Sequence, residues 1–252
     1  MTLKTSNPAF AGQNTYPGTA VHVGYGPTMT ISGTVNKAGA LMLCVLATAF
    51  WTWSRFFESG DPGSVGGLLI VGLFGGLIAA MVTIFKKEWS PVTAPVYALL
   101  EGLVLGSLSA TLEMRFPGIA IEAVGLTFGT CFALLLAYRS GLIRASEKFT
   151  LGIIAATGGI AIVYFAGMVL GFFGVQIPGI FGNGPVGILF SLAVVVIAAL
   201  NLILDFAAIE EGARSGAPKY MEWYSAFGLM VTLIWLYLEI IRLLSKLRSD
   251  RR

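Results

Sequence analysis

Seven long apolar stretches, separated by short polar or Gly/Pro-rich gaps, dominate the sequence from about residue 38 to residue 244. A helix that spans a bilayer needs about 20 predominantly apolar residues, and seven windows approach or exceed this length. They cover residues 38–54, 65–85, 92–112, 119–138, 151–173, 186–208 and 224–244, and the first is the shortest. The pattern predicts an all-α, multi-pass membrane bundle of seven transmembrane helices.

The composition supports a membrane protein. Hydrophobic residues make up 56% of the 252 residues and charged residues only 12%, whereas a soluble domain carries about 25% charged residues. The first 36 residues are polar and lack the apolar core of a signal peptide. We expect residues 1–36 to form a disordered cytoplasmic tail, residues 37–247 the transmembrane domain, and residues 248–252 a basic C-terminal tail.

The distribution of basic residues among the loops predicts the orientation. Short loops rich in Lys and Arg stay in the cytoplasm. Nine basic residues lie in the N-terminal tail and the even-numbered loops, and only Arg55 and Arg115 lie in the opposite loops. The N-terminus is therefore expected in the cytoplasm. The basic C-terminal tail would then lie outside, unless the seventh segment is buried or re-entrant and returns it.

Glycines spaced four apart occur in four of the apolar segments. Small residues at this spacing let helix backbones approach closely in lipid. The pairs are Gly72 and Gly76, Gly102 and Gly106, Gly125 and Gly129, and Gly167 and Gly171. Together they favour a tightly packed bundle and carry no information about chemistry.

Three acidic residues lie deep inside apolar segments, where ionisable groups are costly and are usually functional. They are Glu101 in the third segment, Asp205 in the sixth and Glu239 in the seventh. Asn201 precedes Asp205 by one helical turn, and Arg242 follows Glu239 by three residues and could pair with it.

The seventh segment also carries a polar stripe. Ser225, Thr232, Glu239 and Lys246 recur every seven residues, so they lie along one side of a helix. Such a stripe should face the bundle interior or a water-filled path. With Asn201, residues 225 and 232 are candidates for the polar lining of that path.

These residues indicate a proton- or cation-sensitive pathway lined by carboxylates. Two carboxylates that share one site cannot both ionise cheaply, so the pair titrates as a unit. A shared proton would close such a latch, and its loss would open it. The alternative is that the acids are only satisfied hydrogen-bond partners between helices.

The sixth and seventh segments resemble a known family. Leu-Ile-Leu-Asp205-Phe-Ala-Ala-Ile209 is similar to the Asp-x-x-x-Ile motif of the Bax inhibitor family, the transmembrane Bax-inhibitor-motif proteins. Leu-Tyr-Leu-Glu239-Ile-Ile-Arg242-Leu-Leu resembles the family's final Leu-Tyr-Leu-Asp-x-x-Asn-Leu-Phe motif.

The third segment adds to this resemblance. Leu-Glu101-Gly102-Leu-Val-Leu-Gly106 is similar to the family's small-Gly-x-x-Leu-Gly pattern, and the resemblance covers residues 38–247. The segment at residues 26–30 looks peculiar to a bacterial subgroup. The expected location is therefore the bacterial plasma (inner) membrane.

The resemblance implies a seven-helix fold with a central last helix. It also implies a pH-sensitive calcium leak gated by an acidic pair, here Asp205 and Glu239, with Glu101 as a further candidate for the pathway. Family members place a basic residue near the end of the second helix, where this chain has Lys86 and Lys87 as candidate charge partners.

Three departures bear on the acidic pair. Arg242 stands where the family often has Asn and could neutralise Glu239, which itself replaces an Asp. A short turn after the sixth helix would set Asp205 opposite residues 227–228, about 17 Å along the axis from Glu239. The pair then forms only if the loop at residues 211–223 is long or folds back. Otherwise Glu101 or a loop lysine becomes the partner of Asp205.

Other function classes find less support. The only histidine is His22, in the tail, and no Cys/His zinc motif occurs, so we expect neither an enzyme nor a cofactor, although calcium could be transported or bound. No basic patch suggests nucleic acid. The alternative to a leak is a membrane scaffold that binds other membrane proteins, such as a quality-control protease. The oligomeric state is left open.

Overall fold

The computed structural model describes residues 26–174 and 179–250, and this part of the chain folds into seven long helices. They are α1 (Ile31–Ser59), α2 (Gly66–Phe85), α3 (Ser90–Arg115), α4 (Ile119–Arg139), α5 (Glu147–Phe172), α6 (Pro185–Arg214) and α7 (Met221–Asp250). Short 3₁₀ turns precede α2 and α3. All seven helices are long and apolar enough to cross a membrane. The predicted seven-helix membrane bundle is confirmed.

The first helix is longer than its apolar window. It begins at Ile31, seven residues before that window, because the Thr30 side chain accepts a hydrogen bond from Gly33 N and caps the helix. With 29 residues it is not the shortest helix, which is α2 with 20. The segment assigned to the tail is therefore helical from Ile31 onward, and residues 1–25 lie outside the described residues.

Helix α7 lies at the centre of the bundle. It packs against α1, α3, α4 and α6 and is the most buried of the seven spans. Its core side chains include Met230, Leu236 and Ile241, which are almost completely inaccessible. The prediction of a central last helix is confirmed.

The C-terminus of α7 lies at the end of the bundle opposite to the start of α1. Arg248 Nη2 lies 2.7 Å from Glu122 Oε1, and Arg248 Nη1 donates to the carbonyls of Phe116 and Pro117 in the α3–α4 turn. Helix α7 thus runs without a break from one end of the bundle to the other, and the side of the membrane on which its C-terminus lies stays a prediction. We call the end of the bundle at which α1 begins the N-terminal face and the end at which α7 finishes the C-terminal face. Glu122 and the two carbonyls hold Arg248 at the C-terminal face.

Two of the four glycine pairs make close helix contacts. A Cβ at Gly102 or Gly106 would overlap the backbone of α1 at Val45 or Ala49, and one at Gly72 would overlap Leu100 O of α3. The pair in α4 has nothing within 4 Å of either Cβ position. The expectation of tight packing thus holds for the first three helices and is wrong for α4.

We predict that Gly102→Ala destabilises the fold by about 1–3 kcal/mol, because its methyl group would overlap Val45 O and the Thr48 side chain. The matched control is Gly129→Ala, which adds the same methyl group to open space in α4. Thermal unfolding of the two purified variants measures the difference. Equal midpoints would contradict the close α1–α3 contact.

Candidate functional site

Polar side chains recur at intervals along the seam between α5, α6 and α7, and Asp205 also lies near Cys131 of α4. From the N-terminal towards the C-terminal face, these side chains are Asp205 with Thr232, Asn201 with Thr157, Glu239 with Tyr164 and Arg242, then Ser191 and Lys246. We call this set the polar column. It places most of the residues expected to line a pathway on a single seam.

Glu239 is the centre of a charged cluster in the column. Its side chain is only 2% exposed, and Arg242 Nη1 lies 2.9 Å from its Oε1. Tyr164 OH donates to the same carboxylate at 3.0 Å and accepts from Arg242 at 2.8 Å. The Arg242 guanidinium also stacks 5.2 Å from the centre of the Tyr164 ring. The three side chains together join α5 to α7.

Asp205 is less completely satisfied. Its carboxylate lies beside Thr232, whose hydroxyl donates to Gly228 O, and its buried Oδ2 has no hydrogen-bond partner among the described residues. Asn201, one turn away, donates to Thr157 Oγ1 at 2.9 Å and to Ile197 O. Ser191 Oγ is also buried without a partner in the described part of the chain. Buried polar atoms are normally satisfied by protein or by water, so the column suits a hydrated path.

The structure does not bring Asp205 and Glu239 together, which corrects the expected acidic pair. Asp205 lies level with Thr232, seven residues before Glu239, so the two acids are about 10 Å apart along the axis of α7. The reason is the short α6–α7 connection, which has no room to fold back. Asp205 lies about one helical turn farther along α7 than residues 227–228, the positions expected from a short turn.

Lys246 closes the column at the C-terminal face. Its side chain is 6% exposed, and its ammonium donates to Gly187 O at 3.1 Å and to Ile180 O at 3.4 Å. A carbonyl of the α5–α6 connection, at Ile180, and one in the first turn of α6, at Gly187, therefore hold a buried cation at this end.

The remaining predicted residues lie outside the column. Glu101 lines a cavity formed by α2, α3 and α7 and lies beside Tyr97, one helical turn earlier. Lys86 is exposed, and the Lys87 ammonium lies 5.1 Å from the centre of the Tyr224 ring. Ser225 is half-buried near the start of α7. Within the described residues, neither lysine forms an ion pair with a pathway carboxylate.

Sequence reasoning missed Glu222, which is fully buried at the start of α7. Its two carboxylate oxygens lie 2.7 Å from the ammonium groups of Lys37 and Lys219. Both the backbone N–H and the hydroxyl of Thr30 donate to it at 2.9 Å. Met29 N donates to Ala217 O beside it. Glu222 thus joins the start of α1 to the α6–α7 connection.

The missed residue gave only a weak signal. Glu222 falls in a polar stretch assigned to a loop, and its one local clue is Lys219 three residues earlier, a spacing that surface helices share. Lys37 and Thr30 are remote in sequence. Only the fold shows that these groups converge.

Glu222→Gln should lower the free energy of unfolding by about 1–3 kcal/mol, because the amide cannot accept from all the donors that surround the carboxylate. Hydrogen exchange of the amides at residues 29–37 should rise with it. The control is Glu211→Gln, which removes an exposed ion pair with Arg214 and should change stability by less than about 1 kcal/mol. A similar loss of stability in both variants would contradict the role of Glu222 in joining α1 to the α6–α7 connection.

Comparison with known proteins places this architecture in context. A family model described as Bax inhibitor 1 like matches residues 4–249. Neither the curated proteins nor the solved structures include a match to the chain.

Proposed function

The chain belongs to the Bax inhibitor 1 like family, and on that premise we propose that it is a pH-sensitive leak for cations, with calcium as the cation. The polar column between α5, α6 and α7 is its pathway. The observation that carries the proposal is the unpartnered, buried Oδ2 of Asp205. An ionisable oxygen at membrane depth with a free lone pair is suited to water or a passing cation.

The packing of α5 supports this pathway. Ile153 is the one described residue of α5 that is buried, and the span is the least buried of the seven. Elements with few buried contacts open at low free energy. The polar contacts of Thr157 and Tyr164 hold α5 to the seam, so their release would widen the column without disturbing the core around α7.

Glu239, Arg242 and Tyr164 form the gate in this proposal. While Arg242 neutralises Glu239, the middle of the column offers a cation no net negative charge. The Arg242 side chain is 46% exposed and can swing towards the C-terminal face. Its departure would leave the Glu239 carboxylate free to bind the cation.

Asp205 supplies the pH dependence. The groups that face it are the Thr232 side chain of α7 and the Cys131 thiol of α4, and neither carries a positive charge. An ionised Asp205 attracts the cation, whereas a protonated one does not. The flux should therefore fall as the pH falls through the titration of this carboxyl.

Calcium flux into liposomes that contain the purified protein tests both roles. Asp205→Asn should reduce the flux and remove most of its pH dependence, because the amide cannot titrate. Arg242→Gln should raise the flux several-fold, because the gate loses its cation. Glu211→Gln, an exposed change on the same helix as Asp205, should leave both quantities unchanged.

Two outcomes would overturn the proposal. Purified protein that gives no flux above empty liposomes would favour the membrane scaffold instead. Flux that is the same in the wild type, Asp205→Asn and Arg242→Gln would place the pathway elsewhere.

Water access to the column is a separate prediction. In a background with Cys44 and Cys131 replaced by Ser, a cysteine at Thr157 should react with a charged, membrane-impermeant thiosulfonate, because Thr157 faces Asn201 in the column. A cysteine at Ile154, which is 57% exposed on the outside of the same helix, should react far more slowly. Equal rates would contradict a hydrated column.

A further inference from the structure

A second acidic site lies outside the polar column, in a cavity of about 550 Å³ between α2, α3 and α7. Residues of α5 and α6 do not line it. Glu101 and Tyr97 provide its only polar side chains, and the rest of the lining is apolar. Cavities of about 300–1,000 Å³ with a few polar groups in an apolar wall are typical of small-molecule sites.

The carboxylate of Glu101 is held in place but not neutralised. The Tyr97 side chain, one turn earlier on α3, lies beside it, and a Cβ at Gly76 would lie 3.1 Å from its Oε1, so glycine leaves room for it against α2. Within the described residues, Glu101 has no Lys or Arg partner. The buried acid Glu222 has two such partners and Glu239 has one.

Aromatic rings stand beside this carboxylate. The Tyr97 and Phe227 rings meet edge to face with centroids 4.9 Å apart, and Phe74 of α2 also lines the cavity. Aromatic faces attract organic cations, and they do so most strongly where water is excluded. A carboxylate beside aromatic rings therefore favours an ammonium group over a neutral polar group.

The cavity is open to the hydrocarbon of the bilayer. Its α2 rim residues Leu73, Phe74 and Leu77 are each more than half exposed on the outside of the bundle. A ligand would therefore enter from the membrane and must carry an apolar body. The charge of Glu101 requires that body to bear a cation.

We propose that this cavity binds amphiphilic cations, namely protonated amines attached to an apolar chain or ring system. Glu101 is the counter-ion, Tyr97 orients it, and the α2 and α7 side chains contact the apolar body. The site does not depend on the proposed cation leak. The column and the cavity have α7 in common, but no residue of the polar column lines the cavity.

A second cavity in the same protein provides an internal comparison. It measures about 380 Å³, lies between α1, α3, α4 and α7, and has no Asp, Glu, Lys, Arg or His in its lining. It has the apolar wall without the charge. The structure therefore predicts that amines prefer the first cavity and that neutral hydrophobes do not discriminate between the two.

Binding of radiolabelled decylamine to the full chain in phosphatidylcholine nanodiscs tests the proposal. Saturable binding is expected in the wild type. Glu101→Gln keeps the shape of the side chain and should weaken the affinity at least about tenfold, since an ammonium loses its buried charge partner. Competition by decanol, which has no charge, should be unchanged.

Two tryptophan variants separate the cavities. Leu77→Trp fills the cavity that contains Glu101 and should abolish saturable decylamine binding. Val124→Trp fills the second cavity and should leave it intact. Glu101→Asp keeps the charge and should retain most of the preference for decylamine over decanol, which distinguishes the loss of charge from misfolding in Glu101→Gln.

Three results would overturn the proposal. They are decylamine binding that Glu101→Gln leaves unchanged, decanol that binds as tightly as decylamine in the wild type, and a larger effect of Val124→Trp than of Leu77→Trp. The liposome flux of the same variants is an independent measurement, so a failed leak and a failed amine site give different results.

Discussion

The placement of charged groups within hydrocarbon is the constraint on which the rest of this structure depends. Apolar helices gain little from burying their surfaces against one another in lipid, but a charge at the bilayer centre costs about 2.5–3.5 kcal/mol on insertion scales. Helix α7 carries several ionisable groups along its length and could not stand alone in lipid. The other helices enclose it, and each buried charge acquires its own arrangement of partners.

The bundle has a tight side and a loose side. On the tight side, Gly102 and Gly106 bring α1 and α3 into backbone contact, and Gly72 does the same for α2 and α3. On the loose side, α5 has one described buried residue and is held largely by polar contacts. The rigid part gives α7 a fixed position. The weakly held helix α5 can move away from Asp205 and Glu239, as the proposed gate requires.

The acids differ in how their charge is balanced, and this difference separates their roles. Glu222 has two lysines and accepts two hydrogen bonds from Thr30, so it acts as a structural link between the start of α1 and the start of α7. Glu239 has one arginine that can leave. Asp205 and Glu101 have no basic partner within the described residues, and these two are the acids to which we assign a mobile cation and an organic cation respectively.

The sequence by itself determined the seven crossings, since segments of this length and hydropathy have no other stable environment. It also determined which acids lie at membrane depth, and the spacing of Glu239 and Arg242 was enough to suggest their ion pair because both lie on one helix. The family resemblance further implied that the last helix is central.

Only the tertiary structure decided which remote groups meet. The register between α6 and α7 depends on the length of a six-residue connection, and a shift of one turn moves a carboxylate by about 5 Å. In this register the two acids lie about 10 Å apart along the axis of α7, nearer than the about 17 Å expected from a short turn but still not in contact. The convergence of Thr30 and Lys37 on Glu222, and the assignment of Glu101 to a cavity of its own, depend in the same way on contacts between distant segments, which local periodicity does not encode.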